Sequence, residues 1–161
     1  PRVFRTSPPA HGSVHIVFFD ALSRYAGDAP SAPTRRSSDP CYRLLKPGGY
    51  LWIETPNIAS EVHRLFGANW RGLEPPRHLV LFTLESMHKA LSTAGFAEVE
   101  VQPYRCLCSN IFSASTAIVE GVDPYSKPQR NAPSGLVRKA ERIAKCDPAR
   151  REFITVKAWK K

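Results

Sequence analysis

The run Leu44-Leu45-Lys46-Pro47-Gly48-Gly49-Tyr50-Leu51-Trp52-Ile53-Glu54-Thr55-Pro56-Asn57 constrains the fold more than any other stretch of the chain. A proline presets φ at the first corner of a tight turn, and the glycine after it tolerates the positive φ that a type II turn demands next. Lys46 to Gly49 therefore reads as a turn closing a short helix that Asp39 caps and Pro40 starts. Tyr50 to Glu54 has strand-forming character almost without alternation. That pattern suits a strand covered on both faces, as in a parallel α/β sheet. Thr55-Pro56-Asn57 stops it at the sheet edge where open α/β folds place their ligands.

The segments that follow carry their own punctuation. Ile58, Val62, Leu65 and Phe66 share one helical face, and Gly67 can end that helix. Asn69 to Phe82 reads as a loop stiffened at Pro75 and Pro76, with Leu79 to Phe82 briefly extended. Thr83 caps a helix over 84–94, in which Leu84, Met87, Leu91 and Ala94 recur at intervals of three and four. Glu85 complements its dipole, Gly95 suits a left-handed C′ position, and Phe96 can fold back onto the helix. Glu98 to Tyr104 alternates as a strand with Val99 and Val101 inward. Residues 106–150 form an excursion with an apolar helix at 110–120, a Pro-rich loop at 123–133 and a basic helix that Ser134 caps. Glu152 to Trp159 reads as the last strand.

Composition narrows the classes. With 161 residues, 42% of them hydrophobic, the chain can build one core. No apolar run approaches the roughly 20 residues of a membrane-crossing helix, and the N-terminal stretch lacks the order of a signal peptide. The cysteines Cys41, Cys106, Cys108 and Cys146 match no common zinc spacing, so reduced thiols in a cytoplasmic protein are expected, with metal or redox chemistry as the alternative. The net charge of +9 is densest toward the C-terminus. It fits a solvated surface, with a nucleic-acid or membrane-surface patch as the alternative.

Residues 1–40 differ in character from the rest, being rich in Pro, Ser, Ala and Arg. Val14 to Asp20 could form a short strand, whereas Ser31 to Pro40 has linker composition. Thr34-Arg35-Arg36-Ser37-Ser38-Asp39 also resembles the translation of a sequencing-adapter oligonucleotide. The expectation is that 1–40 is a segment foreign to the domain, artefactual or disordered, with a natural linker as the alternative.

"LLKPGGYLWIETPN", followed by "HRLFGANWRGLEPPRHLVLFT" and "ESMHKALSTAGF", resembles the C-terminal half of a class I S-adenosylmethionine-dependent methyltransferase. The likeness is to the small-molecule group similar to ubiquinone-biosynthesis O-methyltransferases. It runs over about 41–105 and more weakly over 152–160. The resemblance implies an α/β fold: an incomplete Rossmann-like methyltransferase sheet, holding its last strands and helices, with a helical insertion at about 106–150 before the final strand. Residues 41–161 are then the C-terminal part of the domain. S-adenosylmethionine is the cofactor and a small molecule the substrate that the resemblance implies. Yet no G-x-G pattern occurs anywhere in the chain, so the glycine-rich loop that lets backbone approach such a cofactor is absent. No cofactor-binding or metal-binding residue is assigned, and the chain is expected to be a fragment, inactive as it stands. The alternative is a non-catalytic basic binding module on the same fold.

The substrate side offers the remaining candidates. Asn57 follows the strand at the ligand-bearing edge and could orient a substrate group or satisfy loop backbone. In Trp70-Arg71-Gly72-Leu73-Glu74-Pro75-Pro76-Arg77-His78, Trp70 offers a flat apolar wall. Arg71 and Arg77 could clamp an anionic group, and Glu74 could pair with either. His78 is the candidate base for deprotonating an oxygen nucleophile. The blander reading, a structural histidine tying the loop to the sheet, ranks ahead of it, and a substrate hydrogen-bonding group is the third. His63 is a second, weaker base candidate, and His88 reads as packing.

Overall fold

The computed structural model describes residues 38–75, 78, 80–125 and 133–161. The expectations for residues 1–37, including the strand at Val14 to Asp20, fall outside them. The order of elements is α1 (Ser38–Leu44), β1 (Tyr50–Pro56), α2 (Glu61–Phe66), α3 (Leu84–Thr93), β2 (Glu98–Val101), α4 (Cys108–Val119), α5 (Ser134–Cys146) and β3 (Phe153–Trp159). The fold is mixed α/β, with a helical insertion, α4 and α5, between β2 and β3.

The turn at Lys46 forms as the sequence predicts. Gly49 N–H donates to the Lys46 carbonyl at 2.9 Å, and Gly48 takes φ +76°. The turn is also clipped to the far end of β3, because Gly48 N–H donates to Lys160 O and Lys160 N–H to Gly49 O. Lys160 then reaches back with its ammonium to the carbonyls of Tyr42 and Leu45, 2.8 Å each. A cation here satisfies carbonyls at the end of α1 and complements its dipole. Asp39 and Pro40 lie inside α1, which starts at Ser38, so Asp39 does not occupy the expected cap position.

Strand pairing differs from the parallel arrangement expected for the buried strand. The sheet has the order β1-β3-β2, and β3 runs antiparallel to both neighbours. The last strand thus sits between the other two. β1 and β2 run in the same direction but are kept apart by it. One face is fully buried: Leu51 opposes Ala158, Ile53 opposes Val156, and Thr55 opposes Ile154. The other face, with Tyr50, Trp52 and Glu54 of β1, is only half-buried. The apparent lack of alternation in the sequence comes from the aromatic residues on this second face, which look like core in composition.

α1 and α3 cover the buried face through Cys41, Leu45, Met87 and Leu91. Thr83 caps α3 as expected and forms a reciprocal capping box with Ser86. The helix ends in a Schellman motif, with Gly95 N–H bonded to Ser92 O and Phe96 N–H to Leu91 O. Phe96 packs edge-on against Tyr42 with ring centroids 5.1 Å apart. A second core joins α2, α4 and α5 around Val62, Trp70, Phe112 and Ala140. Here α5 begins at Ser134 itself and has no side-chain cap, so Ser134 is the first helical residue and not the cap.

Gly95 combines φ +96° with a direction in which a Cβ would lie 3.4 Å from the Tyr42 ring. Replacing it with alanine forces an unfavourable left-handed backbone conformation. Gly95→Ala is expected to lower stability by about 1–2 kcal/mol, read as a lower urea midpoint. An unchanged midpoint would show that this helix end does not need its glycine.

Candidate functional site

Two of the candidate residues, Asn57 and Trp70, meet at the C-terminal end of β1 through Glu152. Asn57 lies one residue beyond β1 and is fully buried, 0% exposed. Its main-chain N–H donates to Glu152 O at 3.0 Å. Its side-chain Nδ2 donates to Ala149 O and Arg151 O at 2.8 Å each, and Oδ1 accepts from Ala59 N–H at 3.0 Å. The amide therefore clasps the strand end to the segment entering β3.

Trp70 follows a 3-10 turn (Gly67–Asn69) and precedes another (Arg71–Leu73), so the expected loop opens with two tight turns. Its ring is 2% exposed, and its Nε1–H donates to Glu152 Oε2 at 3.1 Å. Gly72 lies against the ring: a Cβ there would come closer than 3.0 Å to three of its carbons. The His63 ring of α2 also packs near it, tilted by 54° with centroids 5.0 Å apart. Its Nδ1 is engaged with Ile58 O at 2.6 Å.

Glu152 is the residue that sequence reasoning missed. Only 3% exposed, it accepts from Val62 N–H at 3.2 Å through Oε1 and from Trp70 through Oε2. Burial pushes its carboxyl up to about 7, against the weaker opposing effect of the hydrogen bonds from Trp70, Val62 and Ser60. No local signal marks it, since its partners lie 82 and 90 residues away in sequence. Neighbouring Glu61, also buried, behaves oppositely: hydrogen bonding from Arg64, aided by Arg150, holds its carboxyl below the usual range.

Arg71 and His78 are brought together through Glu74. The Arg71 guanidinium pairs with Glu74 and lies over the Tyr125 ring, 4.6 Å from its centroid. The Tyr125 hydroxyl donates to Glu74 Oε1 at 2.7 Å. His78 presents Nε2 at 3.4 Å from Glu74 Oε2, with its side chain 2% exposed. Glu74 adopts a left-handed backbone, φ 33° and ψ 54°, the only non-glycine residue with positive φ among those described. Such strain collects at sites that hold a side chain in a demanded position. Glu74 thus lies between Arg71 and His78, and an anionic ligand of Arg71 must compete with that carboxylate. Arg77 lies outside the described residues.

The paired glycines do not fit a cofactor-cradling role. Gly48 and Gly49 sit at the opposite end of β1 from Asn57, and their N–H groups are committed to Lys160 O and Lys46 O. No step is assigned to S-adenosylmethionine on the described residues. Among them there is also no group of three or more His, Cys, Asp or Glu able to hold a metal ion, and no helix long and apolar enough to cross a membrane.

The contact between Gly72 and Trp70 yields a test. Gly72→Ala is expected to push the indole off Glu152 and to destabilise the fold by about 1–3 kcal/mol, the cost of overpacking a filled site. The measurement is the urea midpoint, together with exchange protection of the Trp70 indole N–H. Unaltered protection would mean that the ring is not seated on this glycine.

Comparison with known proteins follows the same ground. Residues 39–101 match the family model of a methyltransferase domain. No curated protein sequence matches the chain. Among solved structures, a SAM-dependent methyltransferase of Thermotoga maritima, described as a possible histamine N-methyltransferase, is 15% identical, with a TM-score of 0.46 over 94% of this chain and 56% of its own. Phosphoethanolamine N-methyltransferase 2 of Haemonchus contortus, solved with phosphomonomethylethanolamine and S-adenosylhomocysteine, is 20% identical, with a TM-score of 0.44 over 98% of this chain and 35% of its own. A second structure of that protein, with S-adenosyl-L-methionine, gives 21% identity and a TM-score of 0.43. The chain thus spans little more than half of the first protein and about a third of the second. Nothing in these matches singles out the ubiquinone-biosynthesis enzymes. From α1 through β2, over residues 39–101, the sequence is similar to a methyltransferase domain.

Proposed function

We propose that residues 41–161 are the substrate-facing part of an S-adenosylmethionine-dependent methyltransferase that acts on a small molecule, and that this polypeptide alone neither binds the methyl donor nor turns over. One observation carries the reading: the methyltransferase-domain match falls on elements that build a strand end and an adjoining polar loop, while the chain contains no G-x-G. In this reading Arg71 and Arg77 meet the polar or anionic group of the substrate, Asn57 and the buried Trp70 hold the edge in shape, and His78 with Glu74 receives a proton. Methyl transfer asks mainly for alignment and exclusion of water, because the sulfonium donor is already reactive. A cytoplasmic setting with reduced thiols belongs to the same reading.

A basic, non-catalytic binding module is the second reading, favoured by one feature. Arg138, Lys139, Arg142 and Lys145 are all exposed on α5. Phosphate-directed binding through such a face falls steeply with salt.

Titration calorimetry with S-adenosylmethionine separates the alternatives when paired with nucleic-acid binding at two salt concentrations. The expected result is no heat of binding and no retention of nucleic acid. Micromolar affinity for the donor would overturn the proposal of an incomplete site, and salt-sensitive nucleic-acid binding would establish the second reading.

A further inference from the structure

The helical insertion turns at an end that leaves aliphatic side chains in water. α4 and α5 run antiparallel: Cys106, just before α4, donates its thiol to Glu141 in the second half of α5 at 2.8 Å. The last turn of α4 and the first turn of α5 therefore share the other end of the pair. There α4 closes in a Schellman motif. Gly121 takes φ +69°, its N–H bonds Ile118 O at 3.1 Å, and Val122 N–H bonds Ala117 O at 2.9 Å. The residue after such a glycine commonly folds back onto an apolar partner. Val122 instead stays 38% exposed, with Val119 at 56% and Leu136 of α5 at 46%. Hydrogen-bonded backbone thus holds these aliphatic groups outward, and an apolar phase that covered them would gain free energy.

The same helix pair carries a one-signed face. Val137, Ala140 and Ala144 are the buried seam of α5, packed into the second core. Arg138, Lys139, Arg142 and Lys145 are exposed on the side away from it, within about 120° of one another around the helix. Among the described residues none of the four is paired with a carboxylate. The one acid of α5, Glu141, sits nearer the seam and is engaged by Cys106. The apolar end itself carries Glu120 and Asp123, and Asp123 is turned onto Tyr125 N–H at 2.9 Å. Attraction to an anionic surface therefore comes from α5, beside the apolar end.

We infer that the α4–α5 pair is a docking element for an anionic lipid bilayer, in which Val119, Val122 and Leu136 enter the headgroup boundary while the basic face of α5 lies against the charged surface. Each cation close to anionic headgroups adds to the attraction, and screening by salt limits its reach. The aliphatic side chains add the apolar contribution that retains a peripheral protein. Their chemistry favours a bilayer over nucleic acid. Single strands stack on aromatic rings, and duplexes offer phosphates and polar base edges, so valine and leucine find little there to bury against. The apolar seam of α5 is committed to the second core, so the helix does not sink into the membrane; only the end of the pair does. The inference does not rest on the methyltransferase reading.

The test is co-sedimentation of this chain with vesicles of phosphatidylcholine, with and without phosphatidylserine, at low and at physiological salt. Retention is expected on the phosphatidylserine vesicles, falling with salt, and not on phosphatidylcholine alone. Arg138→Gln combined with Arg142→Gln is expected to weaken it on the order of 30-fold, at about fivefold for each cation removed. Val122→Asn combined with Leu136→Asn changes no charge and is expected to weaken it about tenfold. All four positions are exposed, so these losses report on the surface and not on folding. No retention on either vesicle, equal retention on both, or retention indifferent to either pair of substitutions would overturn the proposal. Binding of an oligonucleotide that Arg138→Gln with Arg142→Gln abolishes, without vesicle retention, would assign the face to nucleic acid instead. None of these readouts involves the methyl donor, so this proposal and that of an incomplete donor site fall separately.

Discussion

The opposed residues Asn57 and Glu152 hold the end of the sheet together, and the rest of the structure depends on them. They extend the β1–β3 register by one step beyond Pro56 and Phe153, joined by the bond from Asn57 N–H to Glu152 O at 3.0 Å. Each then uses its side chain on irregular backbone. Asn57 satisfies two carbonyls of the segment entering β3, and Glu152 satisfies the Val62 amide and the Trp70 indole. Buried polar groups away from regular structure must find partners or cost free energy. Two side chains meet that demand for three segments at once.

This arrangement explains how the two cores form a single body. The first core, under the sheet, is closed at the other end of β1 by Lys160, which ties the last residues to the end of α1. The second core, around Trp70 and Phe112, joins α2 and the Trp70 turns to α4 and α5. The candidate loop therefore leans on a carboxyl with no cationic partner. Glu61 nearby is paired instead with Arg64 and Arg150. Burial accordingly raises the Glu152 carboxyl to about 7, whereas the arginines hold that of Glu61 down.

Much of the fold could be read from local chemistry. Lys-Pro-Gly-Gly specified its turn, Thr83 its cap and Gly95 its helix end, because each signal is complete within a few residues. Strand order was not readable. Tyr50, Trp52 and Trp159 give the half-open face a core-like composition, which points to a strand covered on both sides. The placement of β3 between β1 and β2 depends on contacts across the whole chain. Ser134 illustrates the weaker side of local signals: a cap residue in type, it sits one position inside the helix. At the site, Asn57, Trp70, Arg71 and His78 were visible as a strand end and a dense polar loop. Glu152 was not, because its environment is made by α2 and the Trp70 turn, and its own neighbours, two arginines and a phenylalanine, suggest an exposed, charge-paired acid.

Native-state hydrogen exchange tests most directly the claim that the Asn57–Glu152 pair joins sheet and insertion into one cooperative unit. The amides of Asn57 and Val62 are predicted to exchange with the same protection as those of Ile53 and Val156 in the centre of the sheet. Fast exchange at Asn57 and Val62, with Ile53 and Val156 still protected, would contradict the account.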